Sequence, residues 1–501
     1  MNLLDRVLNR ITMYRLLVYA LSAYVVAGIG FAYAGRLPYS PTALVGSLAV
    51  LLISAYLADR GFARLFDFPS NSESWLITAL IIFLIVHPAH NLPTALALAV
   101  AGALSSVSKF ILAIHGKHLF NPAALAAAFM SYWGFVPTTW WIGSSIFWPL
   151  TLVLGLAIVR KIRRFPLVLT FFVVSTLLQI AVFVTDHQPV PTNMKHALIA
   201  SPLIFLATVM LTEPATMPPR RNLQMVFAAL IAVLYVLAPT LGPLIIYPEV
   251  ALLIGNLFAY AVSPKIRVRM QLKEIQKISD RVYNYVLQPD RHFNFIPGQY
   301  MEWTLADVSY DSRGNRRTLT IASSPTEDEV HLGIKYFEAA SQWKSSFYQM
   351  QPGDTIYASQ LAGNFTMKGH ETEKLAFVAG GIGITPFRSM IKYLTDKNVQ
   401  SDIVLLYIVS DPTEFAYVQE LNAARTVGIK TIPVVTNLDY HADNVVTTKI
   451  NATSLPQLIP DFAERTFFVS GSSNMVDGTK SHLHRMGVPS RHIRTDHFTG
   501  Y

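Results

Sequence analysis

Apolar residues fall along the chain in two regimes that change near residue 265. Before it, long apolar runs follow one another at residues 16–33, 43–57, 75–86, 94–114, 123–135, 146–159, 167–184, 197–211, 225–241 and 248–262, with few charges between them. So many uncharged runs suit lipid better than a water-soluble core, and several fall short of the roughly 20 residues that span a bilayer squarely, so half-helices or buried segments are expected. After residue 265 the runs shorten and alternate. Segments 282–287, 300–305, 317–322 and 330–337 predict the strands of a small barrel. Segments 375–378, 403–409, 430–435 and 466–469 alternate with helical patterns and predict a parallel sheet covered by helices. The expected fold class is a polytopic α-helical membrane domain of about ten helices over 1–264, fused to a soluble β-barrel domain over 265–370 and an α/β nucleotide-binding domain over 371–501.

Composition agrees, with a mean hydropathy of +0.37 over 501 residues. Basic residues collect on alternate connections: Arg6, Arg10 and Arg15, then Arg60 and Arg64, Lys117, Arg160 to Arg164, Arg220 and Arg221, and Lys265 to Arg269. The opposite side has little beyond Arg36 and Lys195. The excess of Lys and Arg predicts a multi-pass protein of the cell membrane, with both termini and the soluble part in the cytoplasm. The lipid bilayer is thus the first partner, and the formal charge of +9 calls for no nucleic acid. The absence of cysteine excludes disulfides, thiolate-held iron–sulfur clusters and cysteine nucleophiles from this chain. The first apolar run reads as a retained anchor.

The stretch that organises the second half is Gly380, Gly381, Ile382, Gly383, Ile384, Thr385 and Pro386, set between a short apolar run and a helix-period pattern. Glycines let the backbone approach a phosphate, Thr385 offers a hydroxyl and a cap, Pro386 suits a first helical turn, and the helix start carries partial positive charge. Upstream, Arg317 is followed by Thr318, Leu319, Thr320, Ile321, Ala322 and Ser323, and an arginine followed by hydroxyls on a strand suits a pyrophosphate and the polar edge of a flavin. In the first half, Asn121 and Pro122 look like a cap and first helical residue, and Glu213 is an ionisable group near membrane depth whose alternative reading is a loop acid paired with Arg220 or Arg221. His87, His90, His115 and His118 invite a haem reading, but they sit at run ends rather than mid-helix, which disfavours it.

Residues 84–93, 118–129 and 207–218, with the string from Phe120 to Ala123 foremost, resemble the RnfD/NqrB membrane flavoprotein family, whose members belong to the Rnf complex and to the sodium-pumping NADH:quinone reductase. That resemblance implies ten helices and electron passage through membrane flavin. The family's covalent-FMN loop has no counterpart here. Thr139, in the connection from Val136 to Ser145, is its only candidate relic, so any FMN in this half is expected to be non-covalent, and an aromatic interfacial belt is the alternative reading of that connection.

The second half resembles the ferredoxin-NADP reductase superfamily, which implies an FAD-binding barrel followed by an NAD(P)-binding domain. On that resemblance Arg317 would bind the FAD pyrophosphate, Thr320 would approach flavin N5, and Leu319 stands where an aromatic is common. Ser341, Trp343 and Lys344 would form a second phosphate-contact region, Gly363 and Phe365 the barrel's end, and Gly380 to Pro386 the nicotinamide pyrophosphate turn. Ser470, Gly471 and Met475 would lie beside the nicotinamide, with Ser470 where cysteine is frequent, and the terminal Tyr501 would cover the flavin. Ser410 and Asp411, after the second strand of the nucleotide domain, offer no cation for a 2′-phosphate, which favours NADH over NADPH.

The expected function is a membrane-bound flavoprotein oxidoreductase that moves electrons from cytoplasmic NAD(P)H through FAD to a second flavin or a quinone. Ion coupling and additional redox subunits stay open. The rivals are a transporter or scaffold carrying a regulatory FAD reductase, and a ferric-reductase-like haem enzyme.

Overall fold

The computed structural model describes residue 8 and residues 11–66, 72–114, 117–241, 244–305, 316–336, 341–371, 373–437, 439–440 and 445–498. They divide into two compact units, one within residues 2–265 and one from residue 266 onward.

The first unit is helical. Its described helices are α1 Met13–Tyr33, α2 Pro41–Leu65, α3 Ser72–Ile85, α4 Leu92–Ile111, α5 Pro122–Tyr132, α6 Trp148–Ile162, α7 Phe165–Thr185, α8 Val190–Ile199, α9 Leu203–Met210, α10 Arg221–Leu237 and α11 Pro248–Val262. Prolines at helix starts follow side-chain caps: Ser40 accepts from the amide of Ala43, Asn91 from that of Thr94, and Asn121 from that of Ala124. The expected count of about ten spans is not what the helix lengths give. Among the described residues four helices, α1, α2, α4 and α7, are long and apolar enough to cross a membrane, and α8 with α9, bent by 54°, would make a fifth. The remaining apolar runs fold as shorter helices. Helix α11, for example, has 15 residues, roughly 22 Å at 1.5 Å per residue, against the roughly 30 Å of a bilayer core.

Small residues let these helices close on one another. A Cβ on Gly155 of α6 would lie 2.4 Å from the Thr208 hydroxyl of α9, and one on Gly255 of α11 2.5 Å from Ile231 of α10. The connection from Val136 to Ser145 folds back over the end of α3, where the amides of Thr139 and Trp140 both donate to the Ile85 carbonyl at 2.9 Å. Trp140 and Trp141 are buried there, donating to Glu249 Oε2 (2.9 Å) and the Phe83 carbonyl (2.8 Å), so they form a plug inside the protein and not an interfacial belt.

The second unit contains two sheets. The barrel is antiparallel, built from β1 Arg267–Lys277, β2 Val282–Pro289, β3 Tyr300–Leu305, β4 Arg316–Thr320, β5 Val330–Lys335 and β6 Thr355–Ala362 in the order β4-β3-β6-β1-β2-β5. Its core is Trp303, Trp343, Phe347, Met270 and the alternate residues of the strands. The other sheet is parallel, built from β7 Lys374–Gly380, β8 Asp402–Val409, β9 Ile429–Val435, β10 Val446–Thr447, β11 Thr466–Ser472 and β12 Ile493–Phe498. Its order is β10-β9-β8-β7-β11-β12, so the chain winds outward from β7 in one direction and then returns to β7's other side. Helices α12 Gln342–Tyr348, α13 Thr385–Asp396, α14 Val418–Ala423, α15 Ser454–Leu458 and α16 Ser473–Arg485 complete the unit. Central strands β7 and β11 are buried on both faces, as expected for a parallel sheet covered by helices.

Candidate functional site

A doubly wound sheet opens a crevice where its strand order reverses, beyond the carboxyl ends of the strands. Here the reversal lies between β7 and β11, and the glycine turn after β7 meets the serine-glycine turn after β11 at that point. A Cβ on Gly383 would lie 2.5 Å from the Ser470 carbonyl oxygen and 2.7 Å from Gly471 Cα, so glycine is what permits the two backbones to touch. Met475 closes the far side, its thioether packed against Gly380 and Gly471.

The turn is tighter than the sequence predicts. Residues Gly381–Ile384 already form a 3-10 turn before α13, and the Thr385 hydroxyl donates to the Ile382 carbonyl (3.2 Å) instead of capping the helix. Gly381 has φ +54, and a Cβ there would meet nothing within 4 Å. The turn is therefore uncrowded on the side a Gly381 Cβ would occupy, which leaves room for a close-approaching diphosphate. Ser470 is wholly buried, and its hydroxyl oxygen has no hydrogen-bond partner in the protein; the Ser473 hydroxyl is in the same condition. Buried hydroxyls of this kind usually find partners, and two of them beside an open glycine turn fit a polar dinucleotide.

In the barrel, Arg317 is buried and its guanidinium lies over the Trp343 ring, 5.6 Å from the centroid. This brings β4 and α12 together. Ser341 caps α12 by accepting from the Lys344 amide at 3.3 Å, and Lys344 is also buried. Trp343 differs from its expected phosphate-contact role: it stacks on Phe347 at 5.0 Å as part of the barrel core. Leu319 is partly exposed, with its carbonyl accepting from the Trp303 indole (3.1 Å), while Thr320, Ile321, Ala322 and Ser323 are buried. A buried guanidinium joined to a lysine-bearing turn is a donor set suited to the diphosphate of FAD.

Gly363, at φ +127, sits against Gln299 and Tyr300, and Phe365 packs edge-on to Phe387 and Phe468, which ties the barrel's end to the nucleotide sheet. Pro386 is buried in the first turn of α13. Ser410 donates to Glu414 (3.3 Å), Asp411 accepts from the amide and hydroxyl of Thr413 (2.9 and 2.7 Å), and Glu414 is paired with Lys335 at 2.7 Å, so the cation at this turn is already engaged by an acid. Tyr501 lies outside the described residues, as does His115.

In the first unit Asn121, Pro122 and Glu213 come together. The Asn121 side chain donates to Glu213 Oε2 at 2.7 Å, Thr216 donates to the same oxygen at 2.9 Å, and Asn256 accepts from the Asn121 amide at 2.8 Å. Glu213 is therefore held by Asn121 and Thr216, which displaces the pairing with Arg220 or Arg221. Thr139 is exposed on the folded-back connection. His87 and His90 lie in the segment between α3 and α4, with their rings 5.9 Å apart.

The sequence did not single out Arg388, which is buried on α13. Its guanidinium donates to both carboxylate oxygens of Glu327 and to Glu420 Oε1 at 3.2 Å. The available signal was a charged residue on the otherwise buried face of an amphipathic helix.

Comparison with known proteins agrees with this geometry. The family model described as oxidoreductase NAD-binding domain matches residues 377–481. NADH oxidoreductase HCR of Escherichia coli (strain K12) is 26% identical over 238 residues, covering 46% of this chain and 68% of that protein. The stachydrine N-demethylase reductase subunit Stc4 of Rhizobium meliloti is 26% identical, covering 41% of this chain and 59% of that protein. Methane monooxygenase component C of Methylosinus trichosporium is 28% identical, covering 29% and 43%. The chain thus spans only about half of the last two relatives. Among solved structures, a ferredoxin NADP+ reductase from Neisseria gonorrhoeae with bound FAD and NADP covers 47% of this chain and 99% of that one, at 18% identity and a TM-score of 0.41.

The C-terminal half of the chain contains an oxidoreductase NAD-binding domain and is similar in sequence to NADH-dependent reductases. The NAD-binding family match and the oxidoreductase relatives make this half an NAD(P)H oxidoreductase module.

Proposed function

We propose that the whole protein is a membrane-bound flavoprotein oxidoreductase that takes electrons from cytoplasmic NAD(P)H and delivers them into its own helical half. The observation that carries this reading is the meeting of the Gly380–Gly383 turn with Ser470 and Gly471 at the sheet's reversal point, in the same unit as the Arg317 barrel. When bound, FAD supplies the exchange between a hydride donor and one- or two-electron acceptors. The chain's residues hold and orient it. Arg317 and Lys344 would neutralise the flavin-side diphosphate, and the amides of the glycine turn would take the nicotinamide-side diphosphate. Thr320 would stand at the flavin's polar edge, and Ser470 would offer its unpartnered hydroxyl to the nicotinamide. Tyr501 would be the candidate cover for the flavin, to be displaced by nicotinamide. Asp411 disfavours a 2′-phosphate, so NADH is the preferred donor.

The four or five long apolar helices support placement in the cell membrane, and the resemblance to the RnfD/NqrB family supports a second, non-covalent flavin or a quinone as acceptor. The bend between α8 and α9 favours one alternative, a transporter-like helical half with an attached reductase. The full chain, purified in detergent, tests these readings. A yellow preparation bleached anaerobically by NADH with more than one flavin per chain supports the electron path, and FAD alone with no quinone reduction in vesicles supports the transporter alternative. A colourless preparation, or one that NADH and NADPH leave oxidised, refutes the oxidoreductase reading.

A further inference from the structure

Arg388 lies between the two cofactor-binding segments. It occupies the first turn of α13, three residues beyond Thr385 of the glycine turn, and is 3% exposed. Its guanidinium donates to both oxygens of Glu327 and to the Ala322 carbonyl at 3.3 Å. Ala322 to Glu327 is the segment that leaves strand β4 directly after Thr320 and Ile321. The same segment is joined to α13 twice more: Ser389 donates to the Ser323 carbonyl, and Thr326 donates to Asp396.

Glu327 is fixed from its own side, because its Oε2 accepts the Ser324 amide at 2.6 Å. Glu420, on α14, shares the Nη2 donor with Glu327, and the Tyr417 ring lies 5.6 Å from the guanidinium. Tyr417 in turn donates to Asn284 of barrel strand β2 at 3.2 Å. Glycine at position 333 of β5 lets this happen, since any Cβ there would run into the Tyr417 hydroxyl and the Thr385 methyl.

We infer that Arg388, with Glu327 and Glu420, is a positioning latch that fixes the flavin-side strand relative to the nicotinamide-side turn. The inference rests on the reductase reading. A planar guanidinium held bidentately by a carboxylate sets orientation as well as distance. Reaction between two bound rings is sensitive to displacements of about 1 Å, which cost about a hundredfold in rate. Other contacts between barrel and nucleotide sheet, such as Phe365 on Phe387 and Phe468, are apolar and tolerate sliding; the Arg388 pairing holds the segments directionally. Arg388 contacts neither cofactor's diphosphate donors directly, so it acts through the two segments and not on the reacting atoms.

Two volume-conserving variants, Arg388→Lys and Glu327→Gln, test it in the full-length protein. Amide hydrogen exchange, measured without nicotinamide, is expected to quicken at least tenfold in both 322–327 and the first turns of α13, while β7 and β11 exchange as in the parent. The rate of flavin reduction by NADH, counted per bound FAD, is expected to fall 10- to 100-fold with the dissociation constant for NAD+ changed less than threefold. Unchanged exchange in either segment, or a reduction rate per FAD within twofold of the parent, overturns the latch. So does loss of FAD as the sole effect, which would make Arg388 merely structural. A parent protein that NADH and NADPH both fail to reduce sinks the reductase reading itself, a result distinct from parent and variants being reduced alike.

Discussion

Alanine at Gly381 and at Gly383 separates the ligand-facing side of the turn from its packing side. At position 383 the added methyl would sit 2.5 Å from the Ser470 carbonyl oxygen, about 0.9 Å short of the 3.4 Å where ordinary contact begins. The obstructing atoms are all backbone, so β7 and β11 must part to admit it. Overpacking of this kind costs about 1–3 kcal/mol, and the rigid neighbours put Gly383→Ala near the upper end. For a unit of this size each kcal/mol lowers Tm by roughly 2–4 °C, so a fall of about 6–12 °C is expected. At position 381 nothing lies within 4 Å, and the only folding penalty is the positive φ of +54, about 1–2 kcal/mol for an L-residue and roughly 2–8 °C in Tm. There the methyl occupies the open face where the diphosphate would approach. Losing even 1.4 kcal/mol of that contact weakens binding about tenfold. Thermal melts and NAD+ titration of the full chain measure both effects. Gly381→Ala binding NAD+ with parental affinity would refute the assignment of that face, and Gly383→Ala melting with the parent would refute the contact between the turns.

Removing the unpartnered hydroxyl in Ser470→Ala is expected to leave Tm unchanged or slightly higher, because no hydrogen bond within the protein is lost; flavin reduction by NADH should nonetheless slow about tenfold if that hydroxyl serves the nicotinamide. Burial first, and the Arg388 charge second, hold the His331 imidazole below its usual value. The unfolded chain then binds a proton near pH 6.5 that the folded one refuses, so stability is fully present above about pH 7 and falls as pH drops through about 6.5. His331→Gln should flatten that part of the profile in melts run from about pH 5 to about pH 8. Replacing Asp411 by Arg should raise kcat/KM for NADPH relative to NADH by about tenfold or more, and equal ratios in parent and variant would count against Asp411 as the discriminating residue. Asn121→Ala removes a cap worth about 1 kcal/mol and strips Glu213 of one of its two hydrogen bonds, so thermal stability in detergent should fall measurably more than for Thr139→Ala.

The strands that sequence reveals most plainly are those whose period is unbroken. Tyr300–Leu305 folds with the bounds its alternation suggests, and the four central strands of the parallel sheet are one to three residues longer than their apolar runs. Strand β6 is harder to see, because Gln360 at φ +54 and a register shift between Ser359 and Ala362 break the alternation. Strand β1 alternates buried residues with Arg, Gln and Lys, and its charges mask it. The cap expected of Thr385 is missing for a local reason: the glycines are already coiled, which leaves no separate cap position. Trp140 and Trp141 have the composition of a membrane-interface belt, and only the distant Glu249 and the Phe83 carbonyl give them an interior role.

These cases share a physical cause. A cofactor turn needs backbone freedom, and freedom is written locally in glycines and in the residues just after them, so Gly380 to Thr385 could be found by reading alone. Relative placement of two such turns needs directional pairs between distant segments. Arg388 reaches Glu327 and Glu420, 61 and 32 residues away, and Asn121 reaches Glu213 and Asn256, 92 and 135 residues away. Nothing at any one of those positions distinguishes a buried, bidentate partner from a solvated charge. An unpaired buried charge is costly enough to force a partner, and only the fold shows which one. The NAD-binding segment was therefore readable from short strings, while the geometry that would make the cofactors work together resides in polar pairs that become visible only once the segments are brought into contact.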